Sequence, residues 1–168
     1  MVSAYSVMLK ITSLQRVLSL GILTTMVALT LLPTQAQSPP NLENITLGPR
    51  FSPNPLELRG SAGGSAPINE VIKRSDTPTG SCTGFGTSRP NHTIVLTEFF
   101  DSLSLQVESS ADTSIAVQGP GGIWCNDDFN GKNPGVSGQW LAGTYRIWVS
   151  AYGRNQRPAY VLKIKESR

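Results

Sequence analysis

From His92 to Lys165 the apolar residues keep a period of two, and this alternation constrains the fold more than any other feature. Leu103, Leu105 and Val107 alternate with Ser102, Ser104, Gln106 and Glu108. Successive side chains of a strand point to opposite faces, so this stretch reads as a strand with one buried and one wet face. Thr93-Ile94-Val95-Leu96-Thr97 is β-branched and apolar, and Ile115 with Val117 marks another strand. Tyr145, Ile147 and Val149 share one face of a strand over 144–150, and Tyr160, Leu162 and Ile164 share one face of the last. After residue 36 no window sustains the 3.6-residue period of an amphipathic helix. About eight short strands with regular turn signals predict an all-β fold, an antiparallel, jelly-roll-like β-sandwich.

The first 36 residues are read as a cleaved signal peptide. Lys10 and Arg16 precede an uncharged run from Val17 to Leu32, and Pro33-Thr34-Gln35-Ala36 follows with small residues. That is the order of a basic region, an apolar region and a cleavage site. The run is shorter than the roughly 20 residues that span a bilayer, so no membrane span is expected in the mature chain. The expected location is secreted or periplasmic. Residues 37–55 carry Pro39, Pro40, Pro49, Pro53 and Pro55 and are read as an extended, poorly ordered linker. The sandwich is then expected over 56–168. Glu70 to Arg74 reads as a strand or a short turn, and Asn126 to Gly138 as a long polar loop.

Charge excludes one class of partner. The formal net charge is +3, and without Lys10 and Arg16 it falls to about +1, which gives no electrostatic reason to expect nucleic acid or anionic lipid. Cys82 and Cys125 are the two cysteines. In an exported chain they predict one disulfide, closing a loop of roughly 40 residues worth about 3–4 kcal/mol in the chain-entropy description.

Three groups of residues could carry function. Asp112, Asn126, Asp127 and Asp128, with Asn130 and Asn133 nearby, are oxygen donors of the kind calcium takes. The same composition suits an Asx-rich turn whose side chains bond their own backbone, and EF-hand spacing is absent. Catalysis has little to work with. His92 is the only histidine, no Gly-x-Ser-x-Gly elbow occurs, and the paired carboxylates are Asp127 with Asp128 or Glu98 with Asp101. The aromatics of the last third form the third group. If Tyr145, Ile147 and Val149 face the core, then Arg146 and Trp148 face outward, and with Tyr152 they offer a ligand platform, unless the 126–138 loop covers Trp148. Trp124, beside Cys125, is expected to pack on the disulfide.

The order of several pieces carries a family likeness. Ser81-Cys82-Thr83-Gly84-Phe85 is followed by Leu105-Gln106-Val107-Glu108-Ser109-Ser110-Ala111-Asp112-Thr113. After these come Trp124-Cys125-Asn126-Asp127-Asp128 and Gly143-Thr144-Tyr145-Arg146-Ile147-Trp148-Val149. From about Leu56 to Glu166 the chain resembles the bacterial pre-peptidase C-terminal domain, a secreted β-sandwich. The resemblance implies an accessory module usually attached to secreted proteases and other exported enzymes. Some relatives bind calcium, and some bind matrix protein or polysaccharide. No catalytic domain precedes the matched stretch, a departure from the family's usual setting. The expected function is a secreted, non-catalytic binding or accessory module, calcium as its one candidate cofactor, with an envelope or extracellular protein or polysaccharide as partner. The alternatives are a small hydrolase using acidic residues and a self-assembling envelope protein.

Overall fold

The computed structural model describes residues 44–167. The expected signal peptide and residues 37–43 lie outside the described residues. In chain order the elements are β1 (Asn44–Leu47), β2 (Leu56–Ser61), β3 (Ala66–Pro67), α1 (Ile68–Ile72), β4 (Asp76–Thr77), β5 (Gly80–Ser81) and β6 (Phe85–Gly86). Then follow β7 (His92–Leu96), β8 (Phe100–Ser109), β9 (Thr113–Gly119), β10 (Gly122–Asn126), β11 (Gly135–Trp140), β12 (Gly143–Ala151) and β13 (Ala159–Glu166).

Two sheets hold all of these strands except β4 and β5. In the first, β12 is central. On one side it pairs with β9, which pairs with β10; on the other it pairs with β7, and with β6 at its last residue. The second sheet has the order β11-β8-β13-β2, antiparallel throughout. The strands β4 and β5 form a separate hairpin.

The alternation read from the sequence sets which face is buried. Leu103, Leu105 and Val107 of β8 meet Tyr145, Ile147 and Val149 of β12 in one core, with Leu162 and Ile164 of β13. All are at most 1% exposed, and each large apolar side chain removed from water contributes about 1.5–3 kcal/mol. This is the expected all-β sandwich.

Three local readings are corrected. Part of the supposed linker is structured: Asn44–Leu47 adds to β7 as β1, in the one parallel pairing among the described residues. Phe51 packs on Phe100 with ring centroids 6.3 Å apart, and Asn54 exchanges two hydrogen bonds with the Glu166 backbone. The prolines masked the apolar series Ile45, Leu47, Phe51 that ties this segment down. Residues 68–72 form α1 rather than a strand or turn, ending at Lys73 in the left-handed region (φ 58°). Five residues are too few to display a helical period. The last four residues of the supposed 126–138 loop belong to β11, paired with β8.

A second, smaller core covers the outer face of the first sheet. Ile68 and Ile72 of α1 pack with Cys82, Cys125, Ala116 and Trp148. Among the described residues no helix is long and apolar enough to cross a membrane.

Candidate functional site

The disulfide forms as expected: Cys82 and Cys125 are bonded, with Cα atoms 5.1 Å apart. Its position decides where two tryptophans point. Cys125 and Trp148 both pair with Ala116, from opposite sides of β9, so the three form a row on the outer face. Cys125 points out to Cys82, and its neighbour Trp124 must therefore point in. The expected roles are exchanged. Trp148 is the tryptophan on the disulfide, 5% exposed, and Trp124 joins the main core.

Arg146, Trp148 and Tyr152 consequently form no open aromatic plane. Arg146 is exposed on β12, Tyr152 is 75% exposed in the loop after it, and Trp148 lies beneath α1 and the disulfide. The apolar cover over Trp148 is this second core. Its indole Nε1 is buried without a hydrogen-bond partner.

The acidic set is similarly dispersed in its use. Asp112 lies exposed in the β8–β9 turn, where its carbonyl accepts the Tyr152 N–H at 3.2 Å. The Asn126 amide is engaged at both ends: Nδ2 donates to the Thr79 carbonyl and Oδ1 accepts the Gly135 N–H, each at 3.0 Å. The Thr83 hydroxyl donates to Asp127 Oδ2 at 3.3 Å, and Asp128 is exposed. Among the described residues no group of three or more His, Cys, Asp or Glu side chains comes together in a way that could hold a metal.

His92 is inside the protein, 1% exposed, and its Nε2 lies 2.7 Å from the Tyr160 hydroxyl. Burial pushes the Tyr160 phenol well above its ordinary range, against a smaller opposing effect of Asn91. A base held there does not face a substrate arriving from solvent.

What the fold does bring together is a cleft that the sequence did not announce. At one side of the sandwich β10 ends the first sheet and β11 ends the second. Between them stand Trp124, Trp140 and Tyr145. Ring centroids are 4.8 Å apart for Trp140–Tyr145, 6.2 Å for Trp124–Trp140 and 6.4 Å for Trp124–Tyr145. Two of the rings are anchored. Trp140 Nε1 donates to the Leu103 carbonyl at 2.8 Å and the Tyr145 hydroxyl to the Leu141 carbonyl at 2.9 Å. Burial raises the Tyr145 phenol, against a smaller opposing effect of the Leu141 backbone. Gly119 makes room for this ring: a Cβ there would sit 2.2 Å from Tyr145 Cδ1. Trp124 is only half-buried and gives the stack its accessible side. The cavity is about 190 Å³, and its wall is completed by Thr79, Val136 and residues 137–139. Anchored rings with a few polar groups at the rim are the usual make-up of a binding cleft.

A larger hollow of about 790 Å³ opens on the second sheet beside Arg59, Ser61, Glu108, Ser110 and Val161. Its charges are already matched: Arg59 with Glu57 at 3.3 Å and Glu108 with Lys163 at 2.7 Å. Its one aromatic is Tyr160, only 3% exposed and edge-on to His92, so the smaller cleft with half-buried Trp124 is the better candidate. Sequence reasoning also missed the exposed Phe129 and Leu141, at 47% and 52%. Phe129 lies over Gly135, where an added Cβ would be 3.0 Å from its ring.

No family model matches the chain. A protein of Synechococcus elongatus, described only as uncharacterized, is 28% identical over 102 residues, covering 58% of this chain and 66% of that protein. The chain thus spans slightly less than two thirds of that relative's length. Among solved structures, the chain is similar to the pre-peptidase C-terminal domain of collagenase from Bacillus anthracis. There the TM-score is 0.41 at 14% identity, over 73% of this chain and 95% of that one. It is also similar to PliG, a periplasmic lysozyme inhibitor of g-type lysozyme from Aeromonas hydrophila. That likeness has a TM-score of 0.38 at 16% identity, over 73% of this chain and 96% of that one.

Proposed function

We propose that this protein is a secreted or periplasmic, non-catalytic binding module that holds a protein or polysaccharide partner at the cleft between β10 and β11. One observation carries the reading: half-buried Trp124 lies at the open side of the sandwich against Trp140 and Tyr145, two buried rings fixed by hydrogen bonds. Preorganised aromatic surface loses little entropy on binding, which is why such rings dominate binding energy. The buried disulfide supports an oxidising compartment. The placement of the single histidine, 1% exposed beside Tyr160, supports a role other than histidine-based hydrolysis.

The test is a binding panel read through tryptophan fluorescence. The disulfide-bonded protein is titrated with random-sequence peptides and with soluble β-glucan and chitin oligosaccharides. A saturable change that disappears in Trp124→Ala, with far-ultraviolet dichroism retained, is the expected result. Binding that survives Trp124→Ala would place the site elsewhere, and turnover of any panel member would overturn the non-catalytic reading.

A further inference from the structure

We infer that the ligand of this cleft is an extended peptide that adds a strand to β11 and seats one apolar side chain among the three rings. This rests on the binding reading above and names the partner's chemistry.

The argument begins with the register of β11. Pro134 lies opposite Val107 and accepts its N–H at 2.9 Å, and the same pairing continues through Gly135–Gln106, Val136–Leu105, Ser137–Ser104 and Gly138–Leu103. In an antiparallel pair hydrogen-bonded and non-hydrogen-bonded positions alternate. Pro134, Val136 and Gly138 therefore bond toward β8, while Gly135 and Ser137 turn their backbone groups the other way. The Gly135 N–H is taken by Asn126. The Ser137 N–H and C=O face the open side, in a strand whose residues 137–139 are exposed and line the cavity.

These groups specify an occupant. They ask for a backbone donor and acceptor at strand spacing, which a peptide supplies and a sugar does not. A strand laid there turns every second side chain inward, onto the cavity of about 190 Å³ walled by Trp124, Val136, Trp140 and Tyr145. That space suits one branched or aromatic side chain. Charge agrees on the flank. None of the residues lining the cavity is charged, whereas Asp127 and Asp128 directly follow Asn126, which clasps the Gly135 end. A peptide with a lysine or arginine beyond its apolar anchor is complementary there. The register break between Gly138 and Trp140 limits the addition to a few residues.

The experiment pans a displayed random dodecapeptide library on the disulfide-bonded protein, with counter-selection on Trp124→Ala. Synthetic hits are then measured by fluorescence anisotropy. Enriched peptides should carry an apolar anchor and a nearby basic residue. Ser137→Pro, which removes one outward N–H from an edge strand that tolerates proline, should weaken binding about tenfold. A scan of single backbone N-methylations along the peptide should lose affinity at every second residue. That scan leaves the protein unaltered, so it decides the question even if Ser137→Pro fails to fold. A flat N-methyl scan with binding still lost in Trp124→Ala would overturn strand addition and leave the binding reading standing. So would oligosaccharide binding at Trp124 with no peptide enriched. Absence of both peptide and oligosaccharide binding would remove both. A dimer seen by sedimentation that Ser137→Pro dissolves would replace the peptide by a second copy and overturn the inference.

Discussion

The two sheets end on the same side of the sandwich, and the chain treats their edge strands differently. At β10 the outward backbone groups of Cys125 are capped. Its N–H donates to Thr77 Oγ1 at 3.0 Å and its carbonyl accepts the Thr79 hydroxyl at 2.8 Å. Both threonines come from the β4–β5 hairpin and its turn, and the disulfide ties Cys82, just after that hairpin, to Cys125 itself. At β11 only the Gly135 N–H is clasped, and residues 137–139 stay exposed. An exposed edge invites unwanted pairing, and proteins ordinarily blunt it. One edge here is sealed by side-chain hydroxyls and a covalent bond, while the edge beside the aromatic stack is left open. On the proposed reading the open edge is the one that binds, and the sealed edge adds stability.

The largest break in this comparison comes from the disulfide. Cys82→Ser with Cys125→Ser should lower stability by about 3 kcal/mol, which for a domain of this size lowers the thermal midpoint by roughly 10 °C. Amide exchange at Cys125 should quicken toward that of Ser137. Equal protection at Cys125 before and after the change would show that the bond does not seal β10. A smaller break is Thr77→Val with Thr79→Val. Each hydroxyl cap is worth about 1 kcal/mol, less for the exposed Thr79, so denaturant unfolding should register a loss of about 1–2 kcal/mol. The doubly substituted protein should also associate through β10. If it stays monomeric in sedimentation, the threonines are not what keeps that edge apart.

The same contrast explains what could be read from the sequence. The strands β8, β12 and β13 announced themselves because alternation continues for three or more pairs and the inward residues are all large and apolar. The edge strand β11 did not. Gly135, Ser137, Gly138 and Gln139 leave Val136 and Trp140 as its only large apolar residues, and a strand exposed on its edge needs no more. The exchange of Trp124 and Trp148 was open to deduction. Once Cys125 is bonded outward, period two sends Trp124 to the core. What period two cannot give is whether an outward face is covered. Trp148 is outward on β12 and still buried, because α1 and the disulfide make a second layer over it. That layer depends on long-range packing of a five-residue helix with no sequence period of its own. The cleft was hidden for the same reason: Trp124, Trp140 and Tyr145 come from three strands in two sheets.

Alkaline pH separates the closed interior from the cleft. The Tyr160 and Tyr145 phenols are both raised by burial, Tyr160 strongly. Their folded pKa values lie above the unfolded value of about 10. Above that pH the unfolded chain releases phenolic protons that the folded chain retains, so stability is full below about pH 10 and falls as pH rises past it. Tyr160→Phe should remove the larger part of that slope, and Tyr145→Phe a smaller part. Tyr160→Phe should also cost about 1 kcal/mol at neutral pH through the lost hydrogen bond to His92. Equal slopes in the two variants and the parent would place the alkaline transition elsewhere.

The smallest expected effect concerns Asp127 and Asp128. If their segment serves as a clasp beside the open edge, with Asn126 holding Thr79 and Gly135, then calcium has little to add. Thermal midpoints in millimolar calcium and in excess chelator should agree within about 1 °C. A hundredfold excess over Kd at a native-state site would instead contribute about 2.7 kcal/mol, a shift of several degrees. Asp127→Asn with Asp128→Asn should be equally indifferent to calcium, while weakening any basic peptide held at β11. A calcium-dependent shift that this double substitution abolishes would make the segment a metal site after all. The two edges would then differ by an ion as well as by their caps.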